Sequence, residues 1–448
     1  MKFIHLFCLT LLGITLVNTA STSANTKQQD KASIKSFTHW CQQKSSLPKE
    51  TKHTVEILLK QASTQDCATA EQTLNKLNKL DLSLSEISDI KPLASLTNLT
   101  SLNLSFNTIG DIKPLAGLTN LTSLELQRNK IEDIKPLADL TNLTQLDIGS
   151  NEIVDIKPLA QLTNLTQLYL GGNLGINQID RNKTSTEFTD FLLLRLGVNE
   201  IGNIDDIARF VNFTQPNLDK NQISKIKHFA RLANLAQVYA GKLKTNNIED
   251  LSPLAGLKKL THLDISFNQN IRNLWHLDGL KNLTILDISY TKISNLSSLT
   301  KLTNLTQINL SGTRIWNIKP LGRLTSLKSI DLSYTNISDV QPLSELKNLT
   351  SLNLYFNQVE DIKTLAKLTN LTTLILGANI SNIKPVAQLT NLTRLYLVAN
   401  ISDIKPLAQL TKLTTLYLVG NKIGDIKPLT QLTNLTRLDL KRNKIVDI

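Results

Sequence analysis

Residues 99–120 read L-T-S-L-N-L-S-F-N-T-I-G-D-I-K-P-L-A-G-L-T-N, and residues 121–142 read L-T-S-L-E-L-Q-R-N-K-I-E-D-I-K-P-L-A-D-L-T-N. The second segment is the first again, 22 residues later, and further copies open at Leu143 and Leu165. The pattern runs from Leu77 to Ile448, in about seventeen copies. Self-similarity at this period predicts a solenoid, in which each unit contacts only its neighbours and length adds units rather than domains.

The pattern inside one unit predicts the path of the chain. Leu102-Asn103-Leu104 alternates with the period of a strand, leucines inward and Asn103 outward. Asn107 stands where the strand ends, where its side chain can bond backbone groups of adjacent coils. Ile109 and Ile112 turn back into the core. Pro114 pre-sets a short 3₁₀ or α turn over Pro114 to Leu118, and Leu115 and Leu118 close the coil. The expected fold class is an α/β solenoid: a curved parallel sheet on the concave side, and short 3₁₀/α turns on the convex side. One coil has too small a core to fold alone, so stacking must supply the stability.

The first 24 residues read as a secretory signal peptide, with Lys2, an apolar stretch from Phe3 to Val17, and Ala20 and Ala24 as candidate cleavage sites. No later segment reaches the ~20 apolar residues of a membrane helix. Residues 25–36 are polar and read as a disordered linker. Residues 37–76 differ from the repeats and read as a helical cap for the first coil. Pro48 opens one helix, Lys49 to Ala62, and a second is expected from Ala68 to Leu77. Cys8 leaves with the signal peptide. Cys41 and Cys67 remain as an even pair in an exported chain, which predicts a disulfide between them rather than two buried thiols.

Hydrophobic residues make up 41% of the chain and aromatics 5%, as a core of Leu and Ile requires. The net charge of +12 invites an acidic partner. Most repeats, however, set an acid two residues before a lysine, as in Asp111-Ile112-Lys113, so the charges cancel locally. No nucleic-acid-binding module accompanies them, and no nucleic-acid partner is expected. No catalytic or cofactor motif occurs, and the histidines show no metal spacing. The expectation is a protein that is not an enzyme, with no cofactor and no metal. The N-L-T triplets, such as Asn98-Leu99-Thr100, are explained by the repeat.

Two stretches break the rhythm: an insertion at Asn177 to Glu187, and a shorter one around Gly241-Lys242-Leu243. The copies at Leu371 and Leu392 are one residue short. The last unit stops at Asp447-Ile448, which leaves Leu438, Leu440 and Ile445 facing an open end.

The outward strand positions carry the candidate binding residues. All seven tyrosines fall there: Tyr169, Tyr239, Tyr290, Tyr334, Tyr355, Tyr396 and Tyr417. Phe106, Phe267 and Phe356 do too. Neighbouring strands lie ~4.8 Å apart, so equivalent positions form columns. Phe267, Tyr290, Tyr334 and Phe356 make one, interrupted by Gly312. Tyr396 and Tyr417 make another, beside Arg394 and Arg437. Asp264, Asp287 and Asp331 form an acidic column, with Asn309 between. It suits a basic or hydroxyl-rich ligand, or simply keeps the strands soluble. Exposed rings and arginines dominate protein-binding surfaces; cross-strand packing is the competing explanation.

The D-I-K-P-L-A-x-L-T-N-L run resembles the back of the bacterial internalins and related exported leucine-rich repeat proteins. The resemblance spans residues 77–448. It implies a leucine-rich repeat solenoid at the cell surface whose concave face grips a protein. It also implies secretion, to the periplasm or beyond. A polysaccharide ligand is the nearby alternative, and an intracellular scaffold that holds a phosphatase is the rival.

Overall fold

A computed structural model describes residues 35–172, 245–378 and 380–445. Each leucine pair predicted to alternate inward forms a short strand. The first strands are β1 (Lys79–Asp81), β2 (Ser101–Asn103), β3 (Ser123–Glu125), β4 (Gln145–Asp147) and β5 (Gln167–Tyr169). Then come β6 (His262–Asp264), β7 (Ile285–Asp287), β8 (Gln307–Asn309), β9 (Ser329–Asp331) and β10 (Ser351–Leu354). The last are β11 (Thr373–Ala378), β12 (Arg394–Ala399), β13 (Thr415–Tyr417) and β14 (Arg437–Asp439). Among the described residues they form one 14-stranded sheet in strict chain order, with every pair parallel, as in Lys79↔Ser101 and Ser101↔Ser123.

The core is a single column of stacked apolar side chains. In one coil Leu99, Leu102, Leu104, Ile109, Ile112, Leu115 and Leu118 are each 0–1% exposed. Opposite the sheet, Lys113–Leu115 forms a 3₁₀ turn with Pro114 in its first positions, shorter than the expected Pro114 to Leu118. Asp111 Oδ1 accepts from Lys113 N at 2.9 Å. The aspartate of each D-I-K therefore caps the turn, and at Asp89 and Asp361 it also pairs with the lysine.

Asparagines fasten the coils to one another. Asn129 Oδ1 accepts from Ile109 N at 3.0 Å, and its Nδ2 donates to Leu104 O and Leu126 O, both at 3.0 Å. Asn107, Asn151, Asn268, Asn357, Asn421 and Asn443 make the same kind of bonds. In three successive coils the residue is Thr291, Thr313 or Thr335, whose hydroxyl turns back on its own coil, to Ile288 O, Leu310 O and Leu332 O. The N-L-T triplets are structural as well. Asn98 Nδ2 donates to Asn75 O at 2.8 Å, and Thr100 Oγ1 donates to Asn78 O at 3.0 Å.

At one place the stack skips far along the chain. β5 pairs with β6 in the register Gln167↔His262, a step of 95 residues. Asn246 fills the fastening position of that coil, donating to Ile148 O and Leu170 O at 2.9 Å. The insertions read at Asn177 to Glu187 and at Gly241-Lys242-Leu243, and Tyr239, lie outside the described residues.

The two short copies have a local consequence. β11 and β12 pair over six residues, to Ala378↔Ala399. In most other coils the residue two places after the second inward leucine adopts positive φ, as Phe106, Arg128, Tyr290 and Gly312 do. Dropping one residue removes that left-handed turn at Ala399, and the strand runs on.

The cap has three helices: α1 (Phe37–Gln42), α2 (Lys49–Gln61) and α3 (Cys67–Leu74). α3 ends short of the expected Leu77, and α1 was not foreseen. Its signal was Ser36, whose Oγ accepts from His39 N at 3.2 Å. Cys41 and Cys67 are bonded, which ties α1 to α3. Val55, Leu58 and Leu59 of α2 are buried, and Thr54 Oγ1 donates to Asp89 O of the first coil at 2.7 Å. At the other end Leu438 is 46% exposed. Among the described residues no helix is long and apolar enough to cross a membrane.

Candidate ligand-binding face

Each strand offers one face to the core and one outward. The outward rings come together in three clusters. Phe267 and Tyr290 stack with centroids 4.5 Å apart and planes 17° apart. Tyr334 and Phe356 stack at 5.0 Å and 10°, and the edge of Tyr355 meets both. Tyr396 and Tyr417 stack at 4.8 Å and 7°. The column expected through Phe267, Tyr290, Tyr334 and Phe356 is therefore two stacked pairs. Gly312 between them is occupied in effect: a Cβ there would lie 2.6 Å from the Tyr290 ring.

Phe106, Phe267, Tyr290, Tyr334 and Phe356 all sit at positive φ, between 51° and 60°. For an L-residue with a bulky side chain this conformation costs about 1–2 kcal/mol, which glycine avoids. Gly312 and Gly420 take that option at the same position. Rings at the other five coils thus stand where the backbone alone favours their absence.

Exposure divides the candidates. Phe356 is 52% exposed. Phe267, Tyr290, Tyr334, Tyr417, Arg394 and Arg437 are half-buried. Tyr355 and Tyr396 are buried, at 5% and 1%, which corrects the expectation that their rings stand free. Tyr355 lies against Gly377, where a Cβ would come within 2.5 Å of it, and the Tyr334 and Phe356 rings flank it. Tyr396 is covered by the Tyr417 ring.

The acidic column needs a larger correction. Asp264 and Asp287 are 4% and 1% exposed, so they are not a display of free carboxylates. Each folds back on the amide two residues ahead. Asp264 Oδ1 accepts from Ser266 N at 2.8 Å, and Asp287 Oδ1 from Ser289 N at 2.9 Å. Asp331, half-buried, accepts from Ser333 N at 2.8 Å. Asn309 and Asn353 donate to Asp287 and Asp331 at 3.0 Å. Burial pushes the Asp264 carboxyl well above the usual carboxylate range, and Asp287 beside it adds to the rise. Burial also raises Asp331, against its serine and asparagine bonds. The column is internal wiring of the sheet.

Arg128 is a feature the sequence did not flag. It is 8% exposed, its guanidinium lies 5.6 Å from the Phe106 ring centroid, and burial lowers its pKa to about 10. Its Nε and Nη2 have no hydrogen-bond partner among the described residues. Among the same residues no group of three or more His, Cys, Asp or Glu could hold a metal ion.

Known proteins bear on this geometry. The family model "Leucine Rich repeats (2 copies)" matches residues 75–117, 97–139, 119–160, 141–184, 281–323, 325–367, 369–409 and 411–448, and a single-repeat model matches 256–273. No curated protein matches the chain. Among solved structures, an internalin from Listeria monocytogenes is 28% identical, covering 87% of this chain and 94% of that one, with a TM-score of 0.65. A leucine-rich repeat protein from Leptospira interrogans is 26% identical, covering 84% and 87%, at 0.59. The functional domain of InlJ from L. monocytogenes shares the fold at 20% identity, covering 92% and 72%, at 0.61. On its repeat, its sheet and the span of the family matches, the chain belongs to the leucine-rich repeat family.

Proposed function

We propose that this is an exported, non-enzymatic recognition protein that binds a protein ligand on the outward face of its sheet. The observation that carries the reading is the presence of aromatic rings at left-handed positions, where folding favours glycine. Backbone strain of this kind persists where the site it builds is used. The half-exposed Tyr334–Phe356 and Phe267–Tyr290 pairs, with Tyr417, Arg394 and Arg437 further along, supply the rings and cations typical of binding hot spots. Asp264, Asp287 and Asp331 hold the strands in place beneath them. The Cys41–Cys67 bridge supports an oxidising compartment and speaks against the cytosolic scaffold. Likeness to an internalin and the reading of residues 1–24 as a leader support the cell surface or the medium.

The test compares the wild type with a Tyr334→Ala, Tyr355→Ala, Phe356→Ala variant as baits for surface proteins of candidate host or neighbour cells. Capture should fall at least about tenfold, since hot-spot truncations cost ~2 kcal/mol or more. Unchanged capture, with circular dichroism intact, would reject this face. Export is read from the N-terminus of the native protein. An uncleaved chain confined to the cytosol would favour the scaffold.

A further inference from the structure

Most turns on the opposite side of the coils carry the Asp-Ile-Lys charge pair, as at Asp111-Ile112-Lys113, Asp133-Ile134-Lys135 and Asp361-Ile362-Lys363. The turns after β6, β7 and β8 do not. They read Arg272-Asn273-Leu274-Trp275, Ser294-Asn295-Leu296-Ser297 and Trp316-Asn317-Ile318-Lys319. Asparagine keeps the capping bond and discards the charge. Asn295 Oδ1 accepts from Ser297 N at 2.8 Å and Asn317 Oδ1 from Lys319 N at 3.0 Å, as the aspartates do elsewhere. The loss of three successive carboxylates is therefore not a requirement of the fold.

The register of these coils is fixed by Lys292 N donating to Ile271 O at 3.0 Å and Arg314 N to Ile293 O at 2.9 Å. Arg272, Ser294 and Trp316 consequently share one position in three stacked turns, and Trp275, Ser297 and Lys319 share another. The two tryptophans stand at diagonal corners, two coils or about 10 Å apart along the stack, and the two cations take the other corners. Ser294, Asn295 and Ser297 lie between them, all exposed. Trp275 and Trp316 are 65% and 67% exposed. Residues 265–319 hold six Lys and Arg but only two acids, Asp278 and Asp287. Asp278 is bonded to Lys301 at 2.7 Å, and Asp287 is buried on the strand face. No ion pair engages Arg272, Arg314 or Lys319 among the described residues.

We propose that the turns after β6, β7 and β8 bind an acidic polysaccharide, with Trp275 and Trp316 stacking on sugar rings and Arg272 and Lys319 pairing with its carboxylates or sulfates. A flat indole matches the C–H face of a pyranose, and a small, uncharged Ser/Asn floor offers hydrogen bonds to hydroxyls. The unmatched positive charge selects an anionic chain over a neutral one. This site lies off the strand face and does not depend on the reading of that face.

The full mature chain is titrated with polygalacturonate and heparin oligosaccharides, with dextran and polyphosphate as controls, following tryptophan emission and affinity. One of the acidic sugars should bind, with a change in emission. A Trp275→Ala, Trp316→Ala variant should weaken it at least tenfold, while a Trp275→Phe, Trp316→Phe variant retains most of the affinity. Both indoles are exposed, so these variants should fold. Arg272→Gln with Lys319→Gln should weaken binding and flatten its salt dependence. The Tyr334→Ala, Tyr355→Ala, Phe356→Ala variant should bind the sugar like the wild type. The proposal is overturned if neither acidic sugar binds, if dextran binds as well, or if polyphosphate competes equally and the alanine pair changes nothing. A concentration-dependent dimer abolished by the alanine pair would overturn it in favour of a second copy of the chain.

Discussion

Asp264 shows how a single buried carboxyl couples the sheet to pH. Its folded-state pKa is raised, so the folded chain holds the proton more tightly than the unfolded one. The associated stability is fully present below the ordinary carboxylate pKa near ~4, and is lost as pH rises through the raised value. Asp264→Asn should therefore stabilise the protein at neutral pH by about 1–3 kcal/mol and flatten the dependence of melting temperature on pH. Asn309 and Asn353 already occupy the equivalent strand position, so the amide fits. An unchanged pH profile would show that this carboxyl ionises freely. Arg128 poses the same problem with the opposite charge. Arg128→Met, which keeps the apolar stem, should raise stability by about 1–3 kcal/mol in urea melts. The sequence made the positions of Asp264, Tyr355 and Tyr396 legible, because strand alternation settles which way a residue points. It could not give their exposure, which depends on neighbours: a missing Cβ at Gly377, a ring at Tyr417, an amide at Ser266.

At the scale of the coil, the fastening asparagines were legible because one residue type recurs where the strand ends. Their worth lies in satisfying several buried backbone groups at once. Asn151 accepts from Ile131 N and donates to Leu126 O and Ile148 O. Asn151→Ala should cost about 3 kcal/mol, since each buried group left unpaired costs ~1–3. Chemical denaturation checks it, and a loss below about 1 kcal/mol would mean that water replaces the amide. The left-handed residue after most strands escaped the sequence reading. Its usual markers are Gly and Asn, whereas here Phe, Tyr and Arg hold the position in most coils. The lengthened β11 and β12 were foreseen only as missing residues. Their meaning emerged once it was clear that the dropped residue belonged to that turn. The short α1 lay below what periodicity can detect.

For the whole molecule, the repeat alone specified the stack, its chain order and its need for a cap. It did not specify the step between β5 and β6, since Asn173 follows Gly172 in perfect sequence register and yet Asn246 makes the bonds. A copy count assumes that every copy stacks on the next in sequence; pairing decides otherwise. The two ends are already adjacent, for a Cβ on Gly172 would lie 2.8 Å from Thr245 Cγ2. Removing residues 173–244 should therefore leave a cooperative stack. Calorimetry decides it, and a broadened or lowered transition would show that the removed segment supports the coils.

The substitution of Thr291, Thr313 and Thr335 for asparagine bears on how the molecule would respond to pulling. Three neighbouring junctions lose the asparagine tie, and two of them keep only weaker ones such as Thr284 Oγ1 to Thr261 O and Thr306 Oγ1 to Thr284 O, while those on either side keep the asparagine as well. Stretched between its termini, the rod would part first in this stretch. Its two halves would stay wound, which makes the middle a mechanical fuse.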